Sequence, residues 1–175
     1  MAGKTPKQAV ENFLAPIRRA LSCITRSFVI SGFDPNSSKP HVLTINNGDA
    51  VKLNSTPTLY VTVQMQYRVV EAKGDRGPWK VTTAAYNYNI QDRLEKEIIA
   101  YHWHPTVKPF YPHLHVCPAT GVNLLCKIHL PTARISIEDV LQLLVEQFKV
   151  KPIRQDWEKV LMETKGVYEN FRTWS

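Results

Sequence analysis

The sequence predicts an α+β fold, an antiparallel meander sheet packed by a kinked N-terminal helix and C-terminal helices. Three observations carry this: apolar residues at helical spacing over about residues 6–27, alternating or β-branched runs over about 42–130, and a return to helical spacing over about 137–165. With 175 residues the chain suits a single domain, 1–175, and can bury a core without covalent staples.

Thr5, Pro6 and Gln8 make a helix start, with Thr5 as N-cap, Pro6 in the first turn and Gln8 closing a capping box. Val10, Phe13, Leu14, Ile17, Leu21 and Ile24 then form one apolar stripe. Pro16 interrupts it and is expected to kink or split the helix, because proline lacks the amide donor and crowds the preceding turn. Arg18, Arg19 and Arg26 read as a solvated face.

Phe28 to Ser31 reads as a short strand, and the turn-rich stretch 32–40 as a loop. Val42 to Ile45 and Ala50 to Leu53 flank Asn46-Asn47-Gly48-Asp49, which predicts a hairpin. From Leu59 to Val70, the residues Leu59, Val61, Val63, Met65, Tyr67 and Val69 share one face of a strand. A charged turn leads to a second strand from Trp79 to Asn89. Shorter strands follow at Ile98 to His104, His113 to Cys117 and Leu124 to Leu130. Ser136 caps a helix with Glu138 and Asp139 in its first turn, and Arg154 to Thr164 gives another.

Net charge is +7, which favours anionic partners. Residues 105–135 carry three Lys/Arg and no Asp/Glu, so that segment is the most cationic. Cys23, Cys117 and Cys126 are odd in number and lack CxxC spacing, which argues against a disulfide framework and for a reducing compartment. There is no secretory leader pattern and no apolar run near the roughly 18 residues of a membrane span, so a soluble cytoplasmic protein with no membrane partner is expected.

Chemistry is sought where histidine concentrates. Four of the six histidines, His102, His104, His113 and His115, fall within fourteen positions, and His129 lies fourteen residues further on. If the two HxH strands pair as a hairpin with His104 opposite His113 and His102 opposite His115, all four rings project from one face. Three readings of that patch stand side by side. The imidazoles can act as acid and base in metal-free RNA cleavage, with Lys127, His129 and Arg134 on the phosphate. They can instead ligate zinc or another transition metal. They can also fill a half-buried aromatic surface among Tyr101, Trp103, Phe110 and Tyr111, where stacked bases or packed rings would use the same residues.

Tyr86-Asn87-Tyr88 with Asp92, the strand to His102-Trp103-His104, the Pro112-His113-Leu114-His115-Val116 element and the capped helix from Ser136 resemble the TumE-type toxins of prokaryotic toxin–antitoxin pairs, over about residues 79–148. The resemblance implies a small toxin acting on RNA and silenced by an antitoxin protein. It carries over His113 and His115, then Tyr86, Tyr88 and Asp92. The chain departs from that pattern in its long N-terminal helix and hairpin and in the extension from Lys151 to Ser175. Those additions are expected to hold a partner protein, a second copy or a longer nucleic acid. The leading expectation is a metal-independent ribonuclease using His102, His104, His113 and His115 as acid and base. Lys127, His129, Arg134, Tyr86, Tyr88, Tyr101 and Tyr111 would then contact nucleic acid. The alternatives are a non-catalytic nucleic-acid-binding or partner-binding module and a histidine-ligated zinc protein.

Overall fold

The structure, a computed structural model, describes residues 2–73, 77–117 and 127–171. Thr5 Oγ1 accepts the Gln8 amide at 3.1 Å and opens α1 (Pro6–Leu21). Gln8 Oε1 accepts from the Lys4 amide at 2.7 Å, one residue upstream of the capping-box partner the sequence suggests. Pro16 neither splits nor ends this helix, which stops at Leu21 instead of near 27. The buried stripe contains Val10, Phe13, Leu14, Ile17 and Leu21, as the spacing predicts.

The strands are β1 (Ala2–Gly3), β2 (Val29–Ser31), β3 (His41–Ile45), β4 (Val51–Lys52), β5 (Tyr60–Glu71), β6 (Trp79–Gln91), β7 (Glu97–Trp103), β8 (His113–Val116) and β9 (Leu130–Pro131). They form one antiparallel sheet in the order β2-β3-β5-β6-β7-β8-β9, with β1 beside β6 and β4 beside β5. Gly77 makes the β1 contact feasible. Its φ is +122°, and a Cβ there would meet the Gly3 carbonyl oxygen at 2.4 Å.

Two strand expectations need correction. β3 and β4 do not pair with each other; both lie along β5, with Thr44 opposite Gln64 and Val51 opposite Val61. Asn46, Asn47 and Gly48 have φ of 49°, 59° and 96°, and this left-handed run turns a corner instead of reversing the chain into a hairpin. In the predicted strand Leu124 to Leu130, residues 124–126 lie outside the described residues, and the strand begins only at Leu130.

A β-bulge sets the two faces of β6. Gln66 pairs with Ala85 but Tyr67 pairs with Thr83, leaving Ala84 as the extra residue. Before the bulge the odd-numbered Val81 and Thr83 share the face of Val69 and Tyr67; after it the even-numbered Tyr86, Tyr88 and Ile90 take that face. The helices pack there. α1, α2 (Ile137–Glu146) and α3 (Trp157–Phe171) bury Leu14, Ile17, Leu141, Leu144 and Val160 in one core with Val61, Val63, Tyr67, Tyr86, Tyr88 and Trp103. α3 starts and ends three or more residues later than Arg154 to Thr164. Lys165 Nζ reaches Asp139 Oδ1 at 2.6 Å between α3 and α2, and Arg19 pairs with Glu163 between α1 and α3. No helix among the described residues is long and apolar enough to cross a membrane.

The start of α2 is a full capping box. Ser136 Oγ accepts the Asp139 amide at 3.1 Å, and Asp139 Oδ2 accepts the Ser136 amide at 3.1 Å, with Ser136 only 1% exposed. Ser136→Ala leaves the Asp139 amide without its acceptor, so it is expected to lower unfolding free energy by about 1–2 kcal/mol in urea denaturation.

Candidate functional site

The imidazoles occupy the face of the sheet opposite the helices. Trp103 and Tyr101 of β7 pair with Tyr86 and Tyr88 of β6 on the helix-covered side, so alternation turns His102 the other way, across from Asn87. β8 pairs with β7 in a register two residues from the one expected: His102 faces His113, and His115 faces Ala100. A slip of two keeps every side chain on its face, so the rings still converge although the predicted partners are wrong. Ring centroids lie 4.7 Å apart for His102 and His115, 5.5 Å for His102 and His113, 5.5 Å for His102 and His104, and 6.5 Å for His104 and His113. His129, just before β9, joins them at 4.8 Å from His113 and 4.6 Å from His115.

The cluster grades from buried to open. His113 is 2% exposed, His102, His104 and His115 are half-buried, and His129 is exposed. His113 Nδ1 lies 3.0 Å from the Tyr111 carbonyl oxygen. A carbonyl only accepts, so Nδ1 must carry the proton, and Nε2 keeps its lone pair. Glu97 Oε1 stands 4.0 Å from His115 Nδ1, too far for a hydrogen bond but close enough to orient the ring electrostatically. Burial raises the Glu97 carboxyl above its ordinary value.

Burial and neighbouring imidazoles disfavour protonation of His102, His104 and His113. His102 is pushed down to about 4, first by burial and then by the imidazoles of His115, His104, His113 and His129. His104 is lowered by burial and by His113. His113 is lowered by burial, against the raising effect of the Tyr111 carbonyl, and further by His115 and His129. Among the described residues, His102 Nε2 is buried with no hydrogen-bond partner, as are Asn87 Oδ1 and Asn89 Oδ1 on the same face. A buried lone pair without a donor costs free energy of the order of 1–3 kcal/mol unless something outside the protein satisfies it.

One nitrogen from each of His102, His113 and His115 lies within 4.8 Å of the other two. A tetrahedral zinc site holds its nitrogens about 3.4 Å apart, given Zn–N bonds near 2.0–2.1 Å. The His113 Nδ1 contact to the Tyr111 carbonyl is an outer hydrogen bond of the kind metal-bound imidazoles ordinarily make, and Glu97 stands near His115 without bonding it.

The remaining residues expected to bind nucleic acid are placed as follows. Tyr111, 45% exposed, lies edge-on to His113 at 6.2 Å and so belongs to the patch rim. Tyr86 and Tyr88 do not: they stack at 4.8 Å in the core, 2% and 1% exposed. Tyr101 shares their face. The bulge at Ala84 is the reason, since without it Tyr86 and Tyr88 would turn to the imidazole side. Arg134 lies 4.0 Å over the Trp103 ring, away from His102 and His104, instead of joining His129. Lys127 is exposed in a turn and does not share a strand with His129. Asp92 Oδ1 accepts the Leu94 and Lys96 amides at 2.7 and 3.0 Å, shaping the β6–β7 turn far along the strand from the rings. Sequence reasoning missed Glu97, Asn87 and Asn89. The alternation Tyr86-Asn87-Tyr88-Asn89 was the available signal, because burying the tyrosines turns the asparagines toward His102.

In metal-free protein the neutral preference of His102 makes stability depend on pH. An unfolded histidine titrates near 6.5, so between that value and about 4 the unfolded chain binds more protons than the folded one. This contribution is complete above about 6.5 and is lost as pH falls through about 4. Thermal melts in chelator should show Tm falling from pH 7 to pH 4 more steeply in the native chain than in His102→Leu; equal slopes would refute the assignment. Comparison of the whole chain with protein-family models, with curated proteins and with solved structures finds no match.

Proposed function

We propose that the chain is a metal-dependent enzyme whose centre is a three-imidazole site, His102, His113 and His115, suited to zinc or a similar transition ion. The observation that carries this is the convergence of one nitrogen each from His102, His113 and His115 to within 4.8 Å of one another, on a face where His102 Nε2 is buried with no hydrogen-bond partner among the described residues. Neutral imidazoles offer lone pairs, and burial already keeps His102 and His113 neutral. An all-nitrogen set favours zinc, copper, nickel or iron over calcium or magnesium. Three protein ligands leave a coordination position for water or substrate, the pattern of catalytic and not structural zinc. When bound there, such an ion lowers the pKa of its water to about 7 and so supplies hydroxide for hydrolysis. His104 and His129 stand on either side, close enough to the ligands to relay a proton.

Metal-free RNA cleavage is the second reading, favoured by one observation: exposed His129 sits beside buried His113, so two neighbouring imidazoles occupy unlike environments. It needs a protonated acid as well as a neutral base near pH 7, and burial disfavours the protonated form of His102, His104 and His113.

The purified protein is expected to bind about one equivalent of Zn2+, and Co2+ in its place should give visible bands of a nitrogen-rich site. His102→Ala and His113→Ala should abolish stoichiometric binding while the fold persists by circular dichroism. Glu97→Gln should weaken it by about 10–100-fold, through loss of His115 orientation. Failure of the native chain to bind zinc or cobalt stoichiometrically would sink the metal reading. Labelled RNA incubated with and without chelator separates the two readings: cleavage that survives chelation and is lost in the His113→Ala, His115→Ala double variant supports the second.

A further inference from the structure

Beside His104 the imidazole face opens into a cleft of ≈ 510 Å³, a size that suits a small organic ligand. Its floor is Gln66 with the small side chains of Ala84 and Ala85, at the bulge of β6. Pro105 and Val107 of the β7–β8 connection and Pro40 of the loop before β3 give it apolar walls. Among the described residues no carboxylate lines it, and the one lining group that is always cationic is Arg68.

Arg68 is exposed, and its Nη1 donates to the Ser38 carbonyl at 3.1 Å, which leaves other donors of the fork for a ligand. At the opposite end, His104 is shared between this cleft and a smaller recess lined by Gln64, Gln66 and Asn87. Asn87 Oδ1 is buried with no donor among the described residues, and Asn87 pairs across the sheet with His102, a proposed metal ligand. The cleft thus runs from the Arg68 cation, past apolar walls, to the imidazole cluster.

We infer that this cleft binds a small organic oxyanion, its carboxylate or phosphate held by Arg68, its apolar body against Pro40, Pro105 and Val107, and its other end at His104. This inference rests on the metal-centre reading for what happens at that end, and on the cleft alone for recognition. The planar fork of arginine matches both oxyanions in a bidentate manner, whereas an uncharged analogue gains only the apolar contacts.

The test uses benzoate and phenyl phosphate as probes, with benzyl alcohol as the uncharged control, titrated into the zinc-loaded 175-residue chain by calorimetry and NMR. At least one anion should bind, the alcohol should not, and which anion binds better identifies the oxyanion. Arg68→Gln is expected to weaken anion binding about tenfold or more while zinc content stays constant, and Arg68→Lys to recover part of it. Bound zinc together with anion binding that ignores Arg68→Gln, or no anion binding at all, overturns the inference and leaves the metal centre standing. Anion binding that depends on Arg68 in a chain that takes up no zinc supports the cleft and removes the metal centre instead.

Discussion

Everything about the site depends on the strict two-residue alternation of β7. Trp103 is 2% exposed in the helix-covered core, so His102 and His104 on either side of it must face away from the helices. The same constraint acts one strand over, where Leu114 pairs with Tyr101 and its neighbours His113 and His115 take the other face. Hydrophobic burial on one side of the sheet therefore positions polar chemistry on the other. No separate scaffold is required, because the strands that fill the core are the strands that carry the rings.

That economy explains the electrostatics. Held close together on one face, His102, His104 and His113 are each made harder to protonate by burial and by neighbouring imidazoles. Such rings offer lone pairs more readily than positive charge. Around them, the Tyr111 carbonyl holds the outer edge of His113, Glu97 stands beside His115, and Asn87 and Asn89 present acceptors from β6. The adjoining cleft adds Arg68 from β5, a different element from the β7 and β8 strands that carry His102, His113 and His115.

Much of this was legible in the chain before any coordinates. The period change at Ser136, the stripe from Val10 to Leu21 and the alternation from Leu59 to Val69 each follow from local chemistry, and the elements are there. The gathering of the rings was legible for a deeper reason: an HxH pair keeps both rings on one face whatever even-numbered register the partner strand adopts. The register itself was not legible, because slips by two residues keep every side chain on its face and the alternation is the same for each of them. Nor was the corner at Asn46-Asn47-Gly48, where the turn residues suggest a hairpin and long-range pairing with β5 prevails. Arg134 illustrates a different limit: sequence proximity to His129 says nothing about Trp103, whose ring its guanidinium covers.

The extra residue at Ala84 has a wider meaning than a local irregularity in β6. It works as a parity switch: upstream of it the core is read from odd positions, downstream from even ones. Removing one residue there would leave composition and length almost untouched, yet it would exchange inside for outside along the rest of the strand, exposing a pair of tyrosines and pressing two asparagines into hydrocarbon. Tolerance to change in this region is therefore governed by counting and not by chemical similarity. Substitutions that keep the count can be absorbed, while a single insertion or deletion turns one half of the strand inside out.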